Sequence, residues 1–155
     1  MDYSQFLSMP QELGLLGVFL LVFLYDTFLS KKAQNALPLF TCVAFGIFTI
    51  ANVFLCDANC SIFGGMFVNT SATVAIKAIL NIGMLIVLIQ STKWANSEYM
   101  TVRRGEFYEL LLLTLFGVYF MISARHFLMF VIGLETASLP LAALIALVAL
   151  VALVA

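Results

Sequence analysis

The chain has 155 residues, of which 64% are hydrophobic and only 10% charged, with a mean hydropathy of +1.13. Soluble domains carry about 25% charged residues, and a folded chain of this size cannot hide so much apolar surface from water. The formal net charge of −1 leaves no basic balance to suggest a nucleic-acid partner, and the composition points to an all-α integral membrane protein of about five transmembrane helices.

The segment Met1 to Glu12 carries Asp2 and Glu12 and no basic residue. That is the wrong charge for a cleavable signal, so the first hydrophobic segment is expected to remain in the mature protein. Leu13 to Leu29 is the first predicted span, ended by Ser30-Lys31-Lys32. Leu37 to Leu55 is the second, with Pro38 in its first turn, where proline is tolerated. Cys56 to Thr73 reads as a polar loop. Val74 to Ile89 is the third span, Gln90 to Gly105 a second polar loop, and Phe107 to Ala124 the fourth span. A tight Arg125-His126 corner leads into the fifth, from Phe127 onward.

From Leu141 the sequence repeats Ala, Leu and Val to the last position without an interfacial anchor. A replaced end, a designed extension and generic residues all fit this composition. The favoured reading is a chain that does not show its whole natural sequence. Cys42 reads as a small packing residue. Cys56 and Cys60, in C-D-A-N-C, suit a disulfide or two free thiols equally, and no His lies near enough in sequence to suggest a metal site.

Basic residues orient the chain. With the N-terminus outside, the inner loops hold Lys31, Lys32, Lys93, Arg103 and Arg104, and only Lys77 and Arg125 remain toward the outer side. Five spans and an inner C-terminus follow.

Charges inside a span are costly, from about 2.5–3.5 kcal/mol at a helix centre. Glu135 is the clearest case. It lies some nine residues into the fifth span, roughly 14 Å deep at 1.5 Å per residue. Gly133 permits close helix approach. Pro140 deprives the Thr136 carbonyl of its usual partner, and the Thr136 and Ser138 hydroxyls add polarity. A carboxyl poised between low dielectric and a nearby cation can take up and release protons; the alternative is a protonated Glu that only joins helices.

Lys77 is either a proton-path residue or an anchor snorkelling to the outer surface, and its place near the helix end favours the anchor. Glu106 and Glu109 fall in the first turn of the fourth span, where the helix dipole favours carboxylates; Glu109, one turn deeper, is the better functional candidate. Asp26 is expected at the inner interface and His126 at a helix junction. Asn81 and Gly83 are expected in helix–helix contacts. No motif for phosphate, dinucleotide, zinc or iron–sulfur binding is present.

Two motifs carry a resemblance: G-E-F-Y at Gly105 to Tyr108, followed by a Leu-rich helix and Ser-Ala, and G-L-E-T-A-S-L-P-L at Gly133 to Leu141. Together they resemble subunit N of respiratory complex I, the proton-pumping NADH–quinone oxidoreductase. A Glu at the second motif is shared with antiporter-like subunits and Mrp-type cation/proton antiporters. The resemblance implies the N-terminal part of an antiporter-like bundle of about fourteen helices with two inverted repeats. Residues 1–105 would be three preceding helices with their loops, and 106–155 the start of the first repeat.

Glu135 matches the family's mid-membrane glutamate, whose lysine partner would lie beyond Ala155. The implied role is proton transfer within a complex of other membrane subunits, with NADH, flavin, iron–sulfur clusters and quinone on those partners and no cofactor on this chain. Arg125-His126 and the Ala/Leu/Val tail depart from the family pattern. An Mrp-type antiporter component and a purely structural multi-span protein are the alternatives.

Overall fold

The structure is a computed structural model that describes residues 9–28, 35–55, 60–97, 100 and 103–154. Its elements in chain order are α1 (Pro10–Phe28), α2 (Leu37–Leu55), β1 (Cys60–Ile62), a 3-10 turn (Phe63–Gly65), β2 (Phe67–Asn69), α3 (Ser71–Ala95), α4 (Arg104–Ser123) and α5 (Phe127–Val154). Cys56, Lys31 and Lys32 lie outside the described residues. Four helices, α1, α3, α4 and α5, are long and apolar enough to cross a membrane, and α2 adds a shorter apolar stretch over Leu37–Asn52. An all-α membrane bundle is therefore what the chain forms.

Helix ends follow local chemistry. Pro10 opens α1 at a position where its missing N–H costs nothing, and the Leu13 N–H donates to the Met9 carbonyl at 3.0 Å. Helix α1 thus begins three residues before the expected start at Leu13 and takes Gln11 and Glu12 into its first turn. Helix α3 also outruns its predicted span at both ends. Thr70 and Thr73 form a reciprocal capping box, with N–H to hydroxyl distances of 2.8 and 3.3 Å. At the other end the Ser91 and Thr92 hydroxyls donate to the Leu88 and Ile89 carbonyls at 2.9 and 2.6 Å. Those polar residues are satisfied inside the helix, so the helix does not stop for them. Thr41, Thr49, Thr114 and Thr136 likewise donate to carbonyls four residues back.

The stretch expected as an irregular loop contains an antiparallel hairpin, with Cys60 opposite Asn69, Ser61 opposite Val68 and Ile62 opposite Phe67. Its turn places Gly64 and Gly65 at φ 65° and 89°, a left-handed backbone that glycine adopts without strain. The hairpin is fastened to the α4–α5 corner: the Arg125 N–H donates to the Met66 carbonyl at 2.8 Å, and Phe67 bridges Ala124.

Helix α4 is the hub. It packs against α1, α2, α3 and α5, whereas α5 packs chiefly on α4, and Phe107, Tyr108, Leu112, Leu115 and Tyr119 are buried along it. The helices alternate in direction. The start of α1 meets the start of α3 and the end of α4 through Glu12, Lys77, Asn69 and Ser123. At the opposite end Arg104 of α4 donates to the Ala95 carbonyl at 2.8 Å and to Asn35 at 3.3 Å.

Two glycines set the α4–α5 approach. A Cβ on Gly133 would lie 2.8 Å from the Met121 amide nitrogen and 3.0 Å from the Gly117 carbonyl oxygen, and one on Gly117 would collide with the Ala137 backbone. Small residues thus let the two backbones come together, the expected device for helix association in lipid. Gly83 departs from expectation: it is exposed, and a Cβ there meets nothing within 4 Å among the described residues.

These environments make opposite predictions for one substitution. Glycine to alanine inside a helix gains up to about 1 kcal/mol of propensity. Gly83→Ala should keep that gain. Gly117→Ala should lose it to overpacking of about 1–3 kcal/mol. Thermal melting of the detergent-extracted protein should rise or hold for the first and fall for the second.

Candidate functional site

Lys77 lies in the second turn of α3, and the snorkelling-anchor reading does not hold: the residue is fully buried. Its ammonium pairs with Glu12 Oε1 from the first turn of α1 and donates to Asn69 Oδ1 at 2.7 Å. The rings of Phe67 and Tyr119 lie 5.5 and 5.3 Å from Nζ, close enough for cation–π attraction. Taking two charges out of water costs several kcal/mol per ion, and close pairing with further hydrogen bonds is what offsets it.

The pair belongs to a polar seam. Ser123 of α4 donates to Asn69 Oδ1 at 3.0 Å. One turn deeper, the Tyr119 hydroxyl donates to Asn81 Oδ1, so Asn81 does join two helices as expected. Residues 77 and 81 on α3 and 119 and 123 on α4 are each four apart, which puts each pair on one helix face. Three buried polar atoms, Glu12 Oε2, Asn81 Nδ2 and, on the residue before Glu12, Gln11 Oε1, have no hydrogen-bond partner among the described residues. Glu12 also borders an apolar groove of about 480 Å³ lined by Met9, Phe63, Met66, Phe120 and Met129, among others.

Glu135 lies in the first third of the unbroken 28-residue α5, on an exposed face. The buried positions of the same helix are Gly133, Ala137, Pro140, Leu144, Leu147 and Val151. No hydrogen bond or ion pair to its carboxylate occurs among the described residues. The Ser138 hydroxyl is 3.4 Å from the Glu135 backbone carbonyl, and Pro140 is accommodated within the helix.

Glu109 sits at the other end of the bundle. It is half-buried near the start of α4, 14 residues or about 21 Å of helix from Ser123. Asp26, expected at the interface, is half-buried against Gly105, where a Cβ would collide with its carboxyl. That close approach is a physical reason for the Gly of G-E-F-Y. Glu106 is exposed and lies 3.9 Å from the Arg103 guanidinium. His126 is an exposed junction residue whose Nδ1 accepts the Leu128 N–H at 3.2 Å.

The three sequence candidates are therefore not brought together. Lys77 gathers Glu12, Asn69, Asn81, Tyr119 and Ser123 at one end, Glu109 lies at the other, and Glu135 faces outward from α5. Glu12 was missed because it was read as part of the polar tail before Leu13. Pro10, as a helix-opening proline, was the signal that could have placed it inside the first span.

Breaking a buried pair by removing one partner costs about 3–5 kcal/mol, because a lone buried charge remains. Lys77→Met should therefore lower thermal stability markedly, and adding Glu12→Gln to it should recover much of the loss. Additive effects of the two substitutions in a double-mutant cycle would contradict the pairing.

No family model matches the chain, and no solved structure matches it. Curated relatives do. NADH-quinone oxidoreductase subunit N of Azobacteroides pseudotrichonymphae is 44% identical over 148 residues, covering 94% of this chain and 30% of the relative. The subunit N of Phocaeicola vulgatus is 41% identical over 145 residues with the same coverage. That of Methylovorus glucosotrophus is 31% identical over 138 residues, covering 86% of this chain and 28% of the relative. The chain spans about 30% of the length of the first two relatives. With nearly its whole length aligned to proteins of one name, the chain belongs to the NADH-quinone oxidoreductase subunit N family, as a fragment of that membrane subunit.

Proposed function

We propose that this chain is part of a proton-translocating membrane subunit of an NADH–quinone oxidoreductase, and that Glu135 carries protons in its path. One observation carries the reading. An ionisable carboxylate stands within a long apolar helix, on the face that α4 does not cover. Such a group in lipid is costly and is retained for a partner or a pathway. The relatives are about three times as long as the aligned segment, so further helices of the subunit are available to cover that face and supply a cation.

The small residues support the same reading. Gly117 and Gly133 hold α5 close to α4, so the carboxylate rides on a fixed support and its protonation answers to charges arriving from the open side. Electron transfer, with NADH, flavin, iron–sulfur clusters and quinone, belongs on this reading to partner subunits. The bundle end with Lys93, Arg103 and Arg104 faces inward in a bacterial inner membrane, and the α1 start faces outward, in keeping with the positive-inside rule.

The test is Glu135→Gln in the assembled oxidoreductase in closed vesicles. It keeps shape and removes the exchangeable proton. The rate of NADH-driven proton translocation should fall by about tenfold or more, the scale at which positioned proton-transfer groups act. An assembled variant that pumps at the original rate would overturn the assignment.

A further inference from the structure

We propose that Glu12 and Lys77 form a second proton-exchanging centre in this chain, with polar neighbours toward the α1-start end of the bundle and an apolar stretch toward the opposite end. The inference rests on the reading of the chain as part of a proton translocator, but it concerns different residues from Glu135.

Three observations carry it. The first is the pair itself. Lys77 and Glu12 are 0% and 2% exposed, and apolar residues of similar volume often serve a fold as well as a buried ion pair or better. The second is a set of orphaned atoms on Glu12 itself, on its neighbour in sequence and one helical turn from Lys77. Glu12 Oε2, Gln11 Oε1 and Asn81 Nδ2 are buried without partners among the described residues. Buried polar groups are nearly always satisfied. An unpaired carboxylate oxygen on Glu12 and an unpaired amide nitrogen on Asn81, one turn from Lys77, suit internal water, which bonds such groups in folded proteins.

The third observation is the asymmetry of the seam between α3 and α4. From Lys77 it runs through Asn69 and Ser123, next to the hairpin, and through Asn81 and Tyr119 one turn deeper. Between Asn81 and Ser91 on α3 and between Tyr119 and Tyr108 on α4, the buried side chains are Leu88, Leu112 and Leu115. The next hydrogen bond between them among the described residues joins Ser91 and Tyr108, ten residues or about 15 Å along α3 from Asn81. Water at the pair thus has polar neighbours toward one end and an apolar plug toward the other.

The exchange is a single proton transfer at the free oxygen of Glu12. Uptake forms one O–H bond at Oε2 and breaks one in a hydronium ion, which leaves as water. The pair passes from neutral to singly positive, and release reverses the step. Lys77 keeps Oε1 occupied, so the proton enters and leaves at Oε2. Among the described residues, the titratable groups around the site are Glu12 from α1, Lys77 from α3 and Tyr119 from α4; Asn69, Asn81 and Ser123 are neutral.

The test uses the assembled oxidoreductase in closed vesicles with Glu12→Gln, the double variant Glu12→Gln with Lys77→Met, and Glu135→Gln in parallel. Two readouts are taken: NADH-driven proton translocation, and the carboxyl C=O band in turnover-induced infrared difference spectra. In Glu12→Gln one carboxyl band should vanish and translocation should fall about tenfold, while Glu135→Gln should retain that band. An assembled Glu12→Gln variant with both readouts unchanged overturns the proposal. Should that variant fail to assemble, the charge-balanced double variant is read: assembly with lost translocation supports the proposal, and assembly with unchanged translocation overturns it. Failure of both to assemble makes the pair a folding clasp and also overturns it. Unchanged translocation in Glu135→Gln alone would remove the Glu135 assignment and leave this one standing.

Discussion

Inside the hydrocarbon of a bilayer no water is available to satisfy a polar group, so the fold must do so itself. The rest of this structure depends on that constraint. Threonines in α2, α4 and α5 turn their hydroxyls back onto their own helices, and the Thr70–Thr73 capping box closes the start of α3. The demand is greatest at Lys77, where a full positive charge lies without solvent contact. Carboxylate, amide oxygen and two aromatic faces converge on it from α1, β2 and α4. The hairpin's role follows. Its pairing with the α4–α5 corner holds Asn69 where it bonds both Lys77 and Ser123.

Helix α4 meets the same constraint through packing. It is surrounded by other helices on most sides, and its buried Tyr119 and Tyr108 find hydroxyl partners in Asn81 and Ser91. Helix α5 uses the opposite arrangement. Gly117 and Gly133 bring it against α4 at backbone distance, which fixes one face and leaves the other, with Glu135, uncovered. Close support on one side and an open side with an acidic group are physically complementary.

The placement of ionisable residues divides the bundle into regions with different chemistry. Glu12 and Lys77 are enclosed and matched in charge at one end. Asp26, Glu106 and Glu109 gather near the start of α4 at the other, with Gly105 making room for Asp26. Leu88, Leu112 and Leu115 fill the α3–α4 seam between these ends, so polar contact along that seam is interrupted rather than continuous.

Much of the architecture was legible in the residues alone. Hydrophobic length marks the spans because lipid rewards about 20 apolar residues regardless of neighbours, and the motifs at Gly105 and Gly133 identified the family. Asn81 and Gly133 were correctly read as contact positions, since an amide or a glycine within a span has few other uses. The helix ends at Pro10 and Ala95 were less legible, because a polar residue near a span end reads the same whether it leaves the helix or bonds within it. What only the tertiary structure decided was pairing. That Lys77 turns inward to Glu12, 65 residues away in the chain, rather than outward to the membrane surface, depends on which helices become neighbours. A single helix's sequence records the cost of a buried charge; the group that offsets it is supplied by another segment, and only the folded bundle brings the two together.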